Sequence, residues 1–374
     1  MSVFLSGLVG MGVLPTGQRG GRGAGVTGRL FIRAGLPTLR RRRALIALLL
    51  GVIEGCTLLA FSGGCERAPA QEPVANVAFA ADLARPRGVA VAPSGRVFVV
   101  DMGGFVTRFS AAGQFEHRWG LPDQDRGTPT GLFADDRERV FVADTHNSRV
   151  LVYDVDGREV GRFGTLGTGP GEFLYPNDVV VGRDGIIYVS EYGGNDRVSS
   201  FTPQFEFITS FGGPESAPAA LAGPYGMAMD AAGTLWVADT GNHRVCRFDR
   251  EGALIQTIGG VGKARGELRY PHDIAWIPNG QRAGDSRGGL VLVCEKANHR
   301  VQVFSTDGCA RALWGAPGRG TGHFDSPTGI AVAAGRVLVA DAGNNRVVVV
   351  RLESLLADEG VGALAAATPQ PPVD

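Results

Sequence analysis

The sequence predicts an all-β fold: a six-bladed β-propeller of four-stranded antiparallel blades, closed by an N-terminal strand. Three observations predict it. A short apolar strand, an acid-led polar turn and a second apolar strand recur as one hairpin text six times. The acids that close the first strand of each hairpin stand at 101, 144, 191, 239, 295 and 341, in steps of 43, 47, 48, 56 and 46 residues. No helical periodicity runs between them. A period of this length with four strands per unit is that of a propeller blade.

In chain order, residues 1–65 read as a targeting segment. Four arginines at 40–43 precede ten uncharged residues, 44–53. A basic stretch before an apolar one is the layout of an export signal. Ten uncharged residues do not span a bilayer, and the extension to Phe61 carries Glu54. Ser62-Gly63-Gly64-Cys65 with the polar linker after it resembles a bacterial lipoprotein cleavage site, which makes Cys65 a lipidation candidate. Ser62 stands where that pattern prefers Leu. Residues 42–46, RRALI, resemble a twin-arginine signal. The expectation is an exported protein of the cell envelope or periplasm, tethered to the membrane by this segment, whether as a signal peptide, a lipoprotein or an uncleaved anchor. Residues 66–75 form a linker.

The propeller is expected over 76–352. Each blade opens at a proline, Pro86, Pro129, Pro176, Pro224, Pro271 or Pro327, two residues before Gly or Asp and then a short apolar strand. The hairpin supplies the second and third strands. A turn with Gly113, Gly157, Gly252 or Gly308 leads to a fourth strand that ends in an aromatic or aliphatic residue and Gly, as in Trp119-Gly120 and Ile258-Gly259. The step of 56 residues contains a polar insertion at 277–289 in the fifth blade. The sixth copy lacks a fourth strand, and residues 76–81, NVAFAA, are expected to supply it. Closing the ring removes the exposed edges of a linear array. Residues 353–374 form an Ala/Pro-rich tail, with a short helical piece near 352–357.

The texts LWVADTGNHRVCRF (235–248), VLVCEKANHRVQVF (291–304) and VLVADAGNNRVVVV (337–350) resemble the NHL repeat, as do the linkers GTGPGEFLYP (167–176) and GRGTGHFDSP (318–327). The first blade departs most, because Phe105 replaces the turn arginine. The resemblance implies a six-bladed recognition platform. It also implies a minority alternative, a metal-dependent lyase or hydrolase like those acting on peptidyl hydroxyglycine, which bind zinc with inner-strand histidines of three blades.

The acids tempt a catalytic reading, but a group present in five blades is not one catalytic centre. Asp144, Glu191, Asp239, Glu295 and Asp341 are followed five or six residues on by Arg149, Arg197, Arg244, Arg300 and Arg346, each with an Asn two residues before it. The expected role is a structural acid–arginine pair that locks the hairpin. His243 and His299 share one slot and fall under the same reading. Function belongs where blades differ. The residues after the blade-opening prolines, Arg87, Thr130, Asn177, Tyr225, His272 and Thr328, are expected to ring the channel mouth and form the ligand-binding set, with no catalytic residue assigned. His272 is the one histidine among them, so the zinc set implied by the lyase resemblance is absent and no metal ligand is assigned. No cofactor is predicted; a channel calcium ion held by carbonyls stays open. Cys246 and Cys294 fall inside strands, and Cys294 shares its slot with Ala143, Ala238 and Ala340, which reads as a small buried side chain. Gly284-Asp285-Ser286-Arg287-Gly288 matches a nucleophile-elbow string but lies in the polar insertion, without the strand and helix that elbow needs.

Charge narrows the partners. The chain has 37 basic and 37 acidic residues, but residues 1–65 hold eight arginines and one acid. The remainder has 29 basic and 36 acidic residues, a net of −7. Nucleic acid is therefore not the expected partner, and an RNA-binding propeller ranks last. The first reading is non-catalytic recognition of a protein, peptide or glycan by the channel-mouth face.

Overall fold

In this computed structural model the described residues are 75–79, 82–278 and 289–356. The export-type segment, Cys65, the linker before residue 75, Ser286 with most of its insertion, and the tail beyond 356 lie outside them. Among the described residues no helix is long and apolar enough to cross a membrane.

Six four-stranded antiparallel sheets follow one another along the chain. Blade 4 shows the pattern: Pro224–Met229, Leu235–Asp239, Arg244–Phe248 and Leu254–Gly259, paired in that order. Its hairpin register sets Asp239 opposite Arg244 and Val237 opposite Cys246. Blades 1, 2, 3 and 5 repeat the order, with inner strands Pro86–Val91, Leu132–Ala134, Tyr175–Val181 and Pro271–Ile277. Blade 6 takes its inner three strands from Pro327–Ala333, Arg336–Asp341 and Arg346–Arg351. Its fourth strand is Ala75–Phe79, antiparallel to Arg346–Arg351, so the expected N-terminal closure is present, one residue earlier at its start.

The second strand of every blade is buried along nearly its whole length, and mostly apolar up to its closing acid, because both of its faces are covered. Leu235–Asp239 and Val140–Asp144 are buried at every position. A sheet stacked between two others has no wet face, so period-two alternation disappears. Outer strands keep it, as in Leu254–Gly259, where Ile255, Thr257 and Gly259 are exposed and Ile258 between them is buried. Six apolar clusters result, one in each space between neighbouring blades. The aromatic or aliphatic residue closing each fourth strand, such as Trp119 or Trp314, sits in one of them. The helix Leu352–Leu356 adds Leu355 and Leu356 to the cluster between blades 5 and 6, so propeller packing continues to residue 356. Cys246 and Cys294 are fully buried, the latter like Ala143, Ala238 and Ala340 in its slot.

Candidate functional site

Two sets of polar residues share the face where first strands begin and second strands end. The turn acids form the first. Asp144, Glu191, Asp239, Glu295 and Asp341 meet Arg149, Arg197, Arg244, Arg300 and Arg346 at 2.7, 2.6, 2.6, 2.5 and 2.8 Å. Asn147, Asn242, Asn298 and Asn344 donate to the same carboxylates. The arginines also donate to carbonyls of the linker before their own blade, as Arg300 does to Lys263, Ala264 and Glu267. The acids and arginines hold turns to linkers and are paired in that work, while Oδ1 of Asn147, Asn298 and Asn344 is left without a hydrogen-bond partner. Blade 1 solves the same problem differently. Phe105 displaces the turn arginine, and Arg118 of the outer strand reaches Asp101 at 3.0 Å while lying over the Phe105 ring, 4.1 Å from its centroid. His243 and His299 are left-handed turn residues whose Nδ1 atoms accept from the Tyr270 and Ser326 amides at 3.1 Å, stitching each blade to the next.

The second set is the mouth. Arg87, Thr130, Asn177, Tyr225, His272 and Thr328, one per blade, all line a single cavity of about 400 Å³ bounded by the inner strands of all six blades. Several also tie blades together. Asn177 Nδ2 donates to the Pro224 carbonyl at 3.0 Å, and Thr328 Oγ1 to the Pro86 carbonyl at 2.9 Å. Thr130 Oγ1 shares a 2.5 Å bond with Thr145 Oγ1. His272 Nδ1 lies 2.8 Å from the Thr328 carbonyl. A carbonyl only accepts, so Nδ1 carries the proton and Nε2 holds a lone pair. Burial, then the Arg87 and Lys296 charges, hold this imidazole well below the usual histidine range, so it is neutral. Tyr225 covers it, ring centroids 4.4 Å apart. Three buried polar atoms of the set lack hydrogen-bond partners: Arg87 Nε, Asn177 Oδ1 and His272 Nε2.

Deeper residues complete the site. Asp178 and Asp273 occupy the position that Gly88, Gly131, Gly226 and Gly329 hold in the other blades. Asp178 Oδ2 accepts from the Met227 amide at 2.8 Å, and Asp273 Oδ2 from the Ile330 amide at 2.7 Å, each reaching the following blade. The glycines facing them make the room. A Cβ at 226 would lie 2.1 Å from Asp273 Oδ1, and one at 131 would lie 2.3 Å from Asp178 Oδ1. Burial pushes the Asp178 carboxyl up to about 7. Burial, and then the Asp178 charge, push Asp273 well above the carboxylate range. Sequence reasoning passed over this pair, although Asp in a glycine slot was its visible signal. Lys296, Tyr192 and Tyr175 were missed too, since each sits on a turn or strand end read as scaffold.

The zinc set of the lyases does not assemble. His272 is the one imidazole of the ring, its Nδ1 is committed, and no group of three His, Cys, Asp or Glu able to hold a metal comes together among the described residues.

Comparison with known proteins agrees with this architecture. A family model described as a six-bladed β-propeller matches residues 132–199, and the NHL repeat matches 221–248 and 324–350. The protein brain tumor of Drosophila melanogaster is 30% identical over 132 residues, 35% of this chain and 12% of that protein. NHL repeat-containing protein 3 of Mus musculus is 28% identical over 175 residues, 42% of this chain and 50% of that protein. The chain thus spans half or less of the length of these relatives. Among solved structures, an auxiliary nutrient binding protein from Bacteroides thetaiotaomicron superposes with a TM-score of 0.57 at 10% identity, covering 72% of this chain and 69% of the other. A gluconolactonase from Xanthomonas campestris gives 0.53 at 16%, covering 76% and 98%. At such identities the likeness is one of fold. The chain carries NHL repeats, and its fold is a six-bladed β-propeller.

Proposed function

We propose that the propeller is a non-catalytic recognition module of the cell envelope, holding a protein, peptide or glycan at the channel mouth. One observation carries this reading. Six residues that vary between blades line one cavity, while the repeated acids and arginines are paired in holding turns. Variation at the mouth over an invariant frame is what a binding surface on a rigid scaffold requires. The basic and apolar pattern of residues 40–53 supports the envelope location.

An array of peptides and envelope glycans, probed with the full chain and with Tyr225→Ala, tests it. Bound ligands should be lost in the variant and should come off the wild-type protein chemically unchanged by mass spectrometry. Ligands that are turned over, or that bind equally well to Tyr225→Ala, would overturn the reading.

A further inference from the structure

The chemistry of the mouth narrows the ligand. Aromatic rings form an unbroken file across the face. From His146 through Tyr175, Tyr192 and Tyr225 to His272, successive centroids are 5.8, 5.3, 5.6 and 4.4 Å apart. The file starts at His146 and Tyr175, which are exposed, and ends at His272, which is buried in the cavity wall. Its Tyr192–Tyr225 pair is stacked, so two neighbouring blades present one apolar step.

Cations stand beside it. Arg87 lies close enough to Tyr225 and Tyr192 to feel both rings' hydroxyls, and the Arg85 charge repels it. Lys296, on the turn after the second strand of blade 5, is half-buried and repelled by both arginines. Arg85, Arg87 and Lys296 make no ion pair with any described residue. Elsewhere on this face the turn arginines are all neutralised. Three convergent cations without a counter-ion, two of them substantially buried, leave a site short of one anion.

The unpartnered buried atoms add a second requirement. Arg87 Nε needs an acceptor. Asn177 Oδ1 and His272 Nε2 need donors, because Nδ2 of the one and Nδ1–H of the other are already given to carbonyls. Both residues are more than nine-tenths buried. A matching ligand brings one anionic group, hydroxyl donors close to it, and a ring with an apolar face. A successive polyphosphate chain matches poorly. Its further charges would meet the lone pairs of Asn177 Oδ1 and His272 Nε2, on a chain whose residues 66–374 carry a net negative charge.

We propose that the channel mouth binds a hexuronate-type sugar acid, free or as the terminal unit of an acidic oligosaccharide. Its carboxylate sits among Arg87, Arg85 and Lys296, its hydroxyls face Asn177 and His272, and its ring lies on Tyr225 and Tyr192. The inference rests on the recognition reading of the same mouth. It can fail while that reading stands, if the mouth-dependent ligands prove to be peptides or neutral glycans.

Calorimetric titration of the full chain tests it, using glucuronate, a galacturonate trisaccharide, the corresponding neutral sugars and a single-stranded RNA decamer at one ionic strength. The acids should bind at least about tenfold more tightly than their neutral counterparts. Lys296→Gln should weaken acid binding about tenfold and leave neutral sugars unaffected, while Tyr225→Ala weakens both. Lys296 makes no ion pair with a described residue and is repelled by Arg87 and Arg85, so its variant should melt no lower than the wild type and report binding alone. Equal affinity for the monosaccharide and the trisaccharide assigns a free sugar acid, and tighter binding of the trisaccharide assigns a glycan end. Equal binding of neutral and acidic sugars, no uronate binding at millimolar concentration, or RNA bound through Lys296 in place of uronates would each overturn the proposal.

Discussion

Two aspartates make the channel of this propeller sensitive to pH. Asp178 and Asp273 replace glycines, and both are held protonated where an unfolded carboxyl is ionised. The folded chain therefore binds more protons than the unfolded one above the ordinary carboxylate range. Their contribution to stability is complete below that range. It is lost as pH rises through about 7 for Asp178, and through the raised range of the Asp273 carboxyl. This contribution should fall between about pH 5 and pH 8, while the neutral His272, which an unfolded chain protonates below about 6.5, opposes it at the acid end. Asp273→Asn keeps an oxygen for the Ile330 amide and removes a titration, so its melting profile over the same range should be flatter. Parallel profiles for wild type and variant would show that the pair does not titrate there. The glycines opposite are equally constrained. Gly226→Ala puts a methyl group 2.1 Å from Asp273 Oδ1 and 2.5 Å from its Cα, so side-chain rotation does not relieve the contact. A loss of about 1–3 kcal/mol is expected in denaturant unfolding.

Hairpins are where sequence and structure agree most closely, and the ion pairs show why. Each acid is fully buried with its arginine partly covered, and removing one partner leaves the other charged and dry. Arg300→Met should cost about 3 kcal/mol by chemical denaturation. Arg118→Met tests the substitute pair of blade 1 and should also destabilise, though less, because Arg118 is more exposed than Arg300. The five regular pairs were legible because a hairpin register fixes residues five or six apart opposite one another. The Asp101–Arg118 pair was not. It joins a second strand to a fourth, and its spacing of 17 residues depends on which side chain the intervening sheet points at the acid. The mouth was legible in part for the same reason. Prolines marked where inner strands begin, so one residue per blade could be placed on the channel. Tyr192 comes to it from a strand end and Lys296 from a turn, across gaps that only the packing of blades sets.

At the scale of the whole molecule, stability depends on closing a ring whose last sheet is shared between distant stretches of chain. Val347–Val350 pair with the strand at 75–79, and Phe79 stacks on Phe109 of blade 1 with centroids 5.4 Å apart. Removing residues 1–81 should expose the edge of Arg346–Arg351. Lower melting and concentration-dependent association, read by light scattering, are the expected outcomes. Phe79→Ala should lower the melting temperature without association, because the backbone edge stays covered. The shared sheet has a further consequence. The seam is a property of chain connectivity, and the sheets on either side of it make the same pairings as those of an unbroken blade. Circular permutation should therefore be tolerated: a chain linked from residue 356 back to 75 and cut within 279–288 would carry its seam in blade 5, with the mouth chemistry carried over intact.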